Sequence, residues 1–120
     1  MNTVEFGEYL KSIGGLINGY YIDREPITHN MCECDEGWLE LIKNCIDECI
    51  SAGWDKQICQ IKEKFGGLRF YINSGNDEVF NIIEKYQKLS YETCEMCGST
   101  ENVELRNGSW IRTLCDDCCK

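Results

Sequence analysis

Residues 93–120 read TCEMCGSTENVELRNGSWIRTLCDDCCK, and this stretch decides how the end of the chain folds. Seventeen residues separate its two Cys-x2-Cys pairs, which are Cys94 with Cys97 and Cys115 with Cys118. Two residues between cysteines let both thiolates of a pair bind one cation, and this separation of the pairs is typical of a tetrathiolate zinc site. The sequence therefore predicts one structural Zn²⁺, because four sulfurs fill a tetrahedral site. Cys119 is an alternative to Cys118 as the fourth ligand.

The residues between the two pairs predict a β-hairpin. Val103–Arg106 and Ser109–Arg112 are the two strand segments, and the dipeptide Asn107-Gly108 between them is the strongest signal for a two-residue turn. Such a hairpin brings the two pairs together, so the segment 93–120 is expected to be a zinc ribbon. Trp110 lies in this hairpin and is expected to pack in its core.

A looser cluster of possible metal ligands comprises His29, Cys32 and Cys34. It could form a second zinc site with one further cysteine, for which the candidates are Cys45, Cys49 and Cys59. The spacing matches no common zinc knuckle. Cys45 and Cys49 also lie on the apolar stripe of a predicted helix, where a free cysteine is more often a small buried hydrophobic residue.

The first 92 residues predict a mixed α and β domain. Apolar residues recur at intervals of three and four in three segments, which predicts helices at about 3–14, 36–52 and 77–90. Trp38 lies on the stripe of the second helix and is expected in the core. Tyr20-Tyr21-Ile22 is a candidate for a short strand.

Between the second and third helices the apolar period changes to two, which predicts a β-hairpin at about 57–73. The predicted fold class is therefore α+β, with three helices packed on a β-hairpin in residues 1–92 and a C-terminal four-cysteine zinc ribbon in residues 93–120. Gly66-Gly67 is expected to form the hairpin turn, since both positions of a two-residue turn need positive φ.

This turn sets Phe65 opposite Leu68 and Lys64 opposite Arg69. One face of the predicted hairpin is apolar apart from Glu63, and its residues are Cys59, Ile61, Phe65, Leu68, Phe70 and Ile72. The opposite face is polar and includes Gln60 and Asn73. Its remaining residues, called the cationic face below, are Lys62, Lys64, Arg69 and Tyr71.

The cationic face stands out because the chain carries a net charge of −9, whereas residues 56–72 hold four bases and one acid. Like charges placed directly opposite each other destabilise a strand pair. The face is therefore a candidate site for a negative ligand, with Arg69 gripping an oxyanion and Tyr71 stacking or hydrogen bonding. The competing interpretation is a solvated face, or one covered by the chain's own acids between residues 33 and 40.

Composition limits the class of protein. A chain of 120 residues has room for one domain with a small appended module. No run of eighteen apolar residues occurs, so no membrane span is expected. Acids in the first eight residues argue against a signal peptide, which favours a reducing compartment where cysteines bind metal more often than they form disulfides.

The segment Lys62–Tyr71, KEKFGGLRFY, resembles a segment shared by small zinc-ribbon proteins that bacteriophages and prophages encode. Two further features of that family have counterparts in this chain, Cys34-Asp35-Glu36-Gly37-Trp38 and the run from Trp110 to Cys118 after Cys94–Gly98. The resemblance covers roughly residues 34–118. It implies a viral accessory protein that acts in the cytoplasm of a bacterial host cell.

These observations predict a non-catalytic, zinc-stabilised binding module that inhibits or sequesters a host factor. It would act as a counter-defence protein on a host protein, or it would capture a small phosphorylated signalling nucleotide. The alternative is a zinc-ribbon nucleic-acid-binding regulator, but the ribbon holds five acids against three bases, the wrong sign for phosphate contacts. An enzyme would need a second metal with an open position, at His29, Cys32 and Cys34.

Overall fold

The computed structural model describes residues 1–14, 16–17, 20–21 and 32–119 of the chain. It confirms an α+β fold with a cysteine cluster near the C-terminus. The helices are α1 (Thr3–Ile13), α2 (Leu39–Ser51), α3 (Asp77–Leu89) and α4 (Asp116–Cys119). The strands are β1 (Leu16–Ile17), β2 (Tyr20–Tyr21), β3 (Gln57–Lys64), β4 (Gly67–Ile72), β5 (Val103–Arg106) and β6 (Arg112–Cys115).

The three predicted helices are present, and local capping explains two of their starts. Asn2 accepts a hydrogen bond from the Glu5 backbone while the Glu5 side chain accepts one from the Asn2 backbone, which is a capping box for α1. Asn76 caps α3 through the backbone N–H of Val79. Within the described residues no helix is long and apolar enough to cross a membrane.

The sheet is larger than the predicted hairpin. Its strand order is β2-β1-β3-β4, in which β1 runs parallel to β3 and the other pairs are antiparallel. Residue 33 extends the pairing on the same edge of β3, because the Glu33 backbone donates to Ile61 O and accepts from Glu63 N. The expectation of three helices on a lone hairpin is therefore incomplete, since β1 and β2 widen the sheet. Ile22, the third residue of the candidate strand, lies outside the described residues.

The register of the β3–β4 hairpin differs from the predicted one. Lys64 pairs with Gly67 and Lys62 with Arg69, so Phe65 and Gly66 form the turn, with φ of 52° and 83°. Two positive φ angles are the signature of a type I′ turn. Position 67 requires a glycine for a different reason, which is that a Cβ there would overlap the Tyr91 side chain.

A bulge at Cys59 changes which residues of β3 face the core. The pairing shifts between Ile58 and Gln60, so that Ile58 and Ile61 are both buried while Cys59 is half-buried. Phe65 was expected on the buried face, but as a turn residue it is 66% exposed. The cationic face keeps its predicted members, since a register shift of two residues preserves the side on which each residue lies.

The main core lies between α2, α3 and the sheet, with α1 packed on α2. Trp38, Ile42 and Ile46 of the α2 region are fully buried, as are Leu68 of β4 and Val79 of α3. Cys45 and Cys49 are buried in the same cluster, as the helical stripe predicts. Cys94, Leu114 and Cys115 form a second, smaller cluster in the C-terminal segment.

The C-terminal hairpin forms, but its second strand begins later than predicted. Arg106 pairs with Arg112, which leaves five residues, 107–111, in the loop instead of the two-residue turn that Asn107-Gly108 indicated. The predicted strand Ser109–Arg112 is therefore wrong. Trp110 consequently lies at the tip of the loop and is 69% exposed, not in the core. The later start of β6 places Thr113 and Leu114 in buried positions beside the cysteines.

Gly67→Ala should destabilise the protein by about 1 kcal/mol, because the new methyl group would force the ring end of the Tyr91 side chain away from β4. Urea unfolding followed by circular dichroism measures the change. Gly108→Ala is the matched control, since its nearest neighbour would be 3.9 Å from the added Cβ, and its midpoint should stay within error of the parent. Equal midpoints for both variants would contradict the close approach of Tyr91.

Candidate metal centre

Three short elements bring four cysteines together. Cys94 and Cys97 flank a turn that follows the short 3-10 helix Ser90–Glu92, Cys115 ends β6, and Cys118 lies in α4. Their sulfurs all lie within 4.8 Å of one another, with 3.7 Å between Cys97 and Cys115. A tetrahedral ion with bonds of about 2.3 Å to sulfur needs sulfurs about 3.8 Å apart. The group therefore has the dimensions to hold a metal ion.

The geometry chooses between the two candidates for the fourth ligand. Cys118 belongs to the group, whereas Cys119 is exposed and does not. The sequence spacing pointed the same way, because Cys-x2-Cys repeats in Cys115 and Cys118.

Backbone hydrogen bonds shape the first cysteine pair into a tight knuckle. Cys94 O accepts from Gly98 N at 2.9 Å, and Cys94 N donates to Ser99 O at 2.8 Å. Gly98 has a φ of 82°, which glycine adopts without strain. A Cβ at Gly98 would also lie 3.1 Å from Gly37 O, so a glycine here lets the knuckle approach the α2 region.

The sulfurs of the group differ in their acidity. Burial alone would raise the pKa of Cys94, but hydrogen bonds from the backbones of Cys115 and Cys97 lower it to about 6. Hydrogen bonding with Cys115 and Cys97 raises the pKa of Cys118, because a proton shared among neighbouring sulfurs is released less readily. Cys94 therefore forms a thiolate more readily than Cys118, and a bound cation would favour the thiolate form of both.

Hydrogen bonds tie the cysteine-bearing segment to the rest of the chain. Gly37 N donates to Glu95 O at 2.7 Å, and the Trp38 indole N–H donates to Thr93 O at 2.8 Å. On the other side, Thr113 Oγ1 donates to Gly66 O at 2.6 Å, which holds β6 against the turn of the β3–β4 hairpin. The cysteine group therefore lies at the junction between the C-terminal segment and the main core.

The structure does not assemble the predicted second metal site within its described residues. The sulfurs of Cys32 and Cys34 lie 3.4 Å apart, but His29 is outside those residues. Among the residues described, the only group of three or more donors close enough for a metal is the Cys94 group. Hydrogen bonding with Cys32, followed by burial, raises the pKa of Cys34, which keeps that thiol protonated.

The cationic face lies on the β3–β4 hairpin. Lys62 pairs across the strands with Arg69, and Lys62 Nζ lies 6.0 Å from the centre of the Tyr71 ring. Arg69 also donates to Leu68 O at 3.0 Å, which fixes part of its guanidinium. Within the part of the chain that the structure describes, no carboxylate forms an ion pair with Lys62, Lys64 or Arg69.

One acid that the sequence analysis did not single out is buried. Glu95 lies between the first two cysteines of the metal group and is 4% exposed. Its Oε2 accepts from Asp35 N at 3.0 Å, and burial raises the pKa of its carboxyl group. The available signal was its place inside a Cys-x2-Cys knuckle, which packs against Gly37.

Comparison with models of protein families, with curated proteins and with solved structures finds no match for this chain. The resemblance to phage-encoded proteins is thus an expectation from sequence. The chemistry of the site follows from its own geometry.

Cys118→Ser should weaken metal binding by at least about tenfold, because a serine hydroxyl is a poor substitute for a thiolate ligand. Competition with a chromogenic chelator measures the affinity. Cys119→Ser is the control and should bind metal as the parent does, since Cys119 lies outside the group. A larger loss of metal affinity in Cys119→Ser than in Cys118→Ser would contradict the assignment of Cys118 as the fourth ligand.

Proposed function

We propose that the chain is a non-catalytic binding module, stabilised by one zinc ion, whose cationic face receives an anionic group of a partner. The observation that carries this proposal is the cross-strand pair of Lys62 and Arg69, two like charges without an ion-pair partner in the described residues. Such a pair costs stability in the free protein, and a bound anion relieves that cost.

Zinc is the ion proposed because of its ligands. Four thiolates in a tetrahedral arrangement are typical of structural zinc sites and of iron–sulfur centres. Two Cys-x2-Cys pairs on a small β-hairpin favour zinc. A site with four sulfur ligands has no open position for water or substrate, which supports a structural role for the ion.

The metal and the cationic face are mechanically linked through the hairpin turn. Thr113 lies two residues before the ligand Cys115 and donates to the carbonyl of Gly66 in the turn. A Cβ at Gly66 would overlap the Leu105 side chain of β5, so the metal-bound segment covers the turn closely. Zinc would therefore hold β3 and β4 in position, which keeps the charged side chains of the cationic face ready for a ligand.

Two kinds of anionic partner fit the cationic face. A small phosphorylated nucleotide would place a phosphate between Lys62 and Arg69 and its base against Tyr71. An acidic surface of a host protein would use the same residues as an interface rim. In the setting that the phage resemblance implies, either would sequester or inhibit a host factor.

The purified protein should contain one zinc ion per chain. Native mass spectrometry gives the stoichiometry, and elemental analysis identifies the ion. Chelation should lower the melting temperature by more than about 10 °C, because metal binding contributes directly to folding in such sites. Iron in place of zinc, two ions per chain, or a melt that chelation leaves unchanged would each contradict this assignment.

Arg69→Ala should weaken the binding of an anionic ligand by at least about tenfold, because it removes a charge-assisted contact. Calorimetric titration with cyclic and linear nucleotides tests the small-molecule partner. Lys11→Ala removes one positive charge from an exposed position on α1 and should leave the affinity unchanged.

The absence of heat with every nucleotide would exclude that partner class. A pull-down from host lysate then tests the acidic protein surface, with Arg69→Glu as the variant. Retention of the same host proteins by the parent and by Arg69→Glu would contradict the cationic face as the contact surface. Steeply salt-dependent binding to DNA would instead support a nucleic-acid-binding regulator.

A further inference from the structure

A second surface, distinct from the cationic face, has the opposite charge. A cleft of about 630 Å³ lies between the segment 32–35, the end of β3 and the C-terminal hairpin. Its wall carries four carboxylates and one guanidinium, and those used below are Asp35, Glu63, Glu95 and Arg112. We call it the acidic cleft.

Glu95 in this cleft is a buried carboxylate with an unused acceptor. The side chain is 5% exposed, and no donor among the described residues forms a hydrogen bond with its Oε1. Arg112 forms an ion pair with this oxygen, but the distance of 3.7 Å from its Nε to Oε1 is too long for a hydrogen bond. A buried charged oxygen without a donor is costly, so this atom marks a position where a ligand donor would be stabilised.

The existing cation does not neutralise the acidic cleft. Arg112 forms its close ion pair with Asp35, and Glu63 uses Oε2 to accept from Gly66 N at 2.6 Å. One guanidinium therefore faces the four carboxylates of the wall, which leaves an excess of negative charge. An incoming cation would gain attraction from Glu63 and Glu95 together.

Aromatic side chains lie beside the acids. Trp110 lines the acidic cleft and is 69% exposed, and with Phe65, which is 66% exposed, it also lines an adjoining groove of about 340 Å³. Glu63 belongs to both depressions. Tryptophan is one of the residues enriched in the hot spots of protein interfaces, so Trp110 suits a contact surface.

We propose that the acidic cleft binds an arginine side chain of a partner protein, with the neighbouring apolar residue of that partner seated between Phe65 and Trp110. A guanidinium presents several donors in one plane, so it can donate to Glu95 Oε1 while it stacks on the Trp110 indole. The excess negative charge of the acidic cleft and the exposed rings of Phe65 and Trp110 both favour this occupant.

A metal ion is the competing occupant, because Cys32 and Cys34 also line the acidic cleft. Three observations favour arginine instead. Within the described residues the two thiols do not form a three-donor group with any carboxylate. The volume greatly exceeds that of a bare ion, and an indole wall stacks on a guanidinium but does not ligate metals.

The test uses the metal-bound protein and two capped tripeptides, one with arginine between two leucines and one with neutral citrulline in its place. Proton–nitrogen NMR follows the backbone amides of Asp35 and Arg112 during each titration. The arginine peptide should give saturable shifts at these amides, and the citrulline peptide should bind at least about tenfold more weakly.

Glu95→Gln should lower the affinity for the arginine peptide by at least about tenfold. The glutamine keeps an acceptor for Asp35 N but loses the negative charge. Trp110→Ala is a second variant and should also weaken binding of the arginine peptide, because it removes the stacking surface. Its side chain is largely exposed, so the variant should fold as the parent does. Glu101→Gln removes one exposed acid of the same segment and should bind as the parent does.

Equal shifts with the arginine and citrulline peptides would overturn the proposal, as would equal affinities for the parent and Glu95→Gln. Shifts of the same amides on addition of Zn²⁺ beyond one equivalent would assign the acidic cleft to a metal. Shifts that grow with protein concentration alone would assign it to a second copy of the chain. The cationic face takes no part in this test. A negative result at the acidic cleft would therefore leave the proposed function unaffected.

Discussion

The convergence of four sulfurs within 4.8 Å is the constraint on which the rest of the C-terminal segment depends. That segment has only a small apolar cluster of its own, which is too little to hold a hairpin in place without further bonds. Four metal–sulfur bonds can supply what the apolar cluster lacks. Such bonds would hold β5 and β6 in place over the turn of the β3–β4 hairpin, where Thr113 already donates to Gly66 O.

Two surfaces of opposite charge lie on this small chain, and the C-terminal hairpin contributes to one of them. On one side of the hairpin, Lys62 and Arg69 stand without carboxylate partners in the described residues. At the covered end, Glu63 and Glu95 face the loop that carries Trp110. Two such surfaces on one chain are suited to contact two groups of one partner, or two partners.

The sequence predicted the donor set and the periodic elements because both are local. The cysteine spacing marked the four sulfurs, the intervals of three and four marked the buried stripe of α2, and alternation marked the cationic face. It misjudged the turn at Phe65-Gly66 and the loop at residues 107–111. In both places a strong local turn dipeptide was overruled by contacts from distant residues.

The sequence by itself thus determined which cysteines could bind metal together, which sides of the helices are apolar, and where the positive charge lies. Only the tertiary structure decided the hairpin register, the exposure of Trp110 and the burial of Glu95. The physical reason is that these depend on close packing between segments far apart in the chain. Tyr91 needs the space that Gly67 leaves, and the first cysteine knuckle needs the space at Gly37.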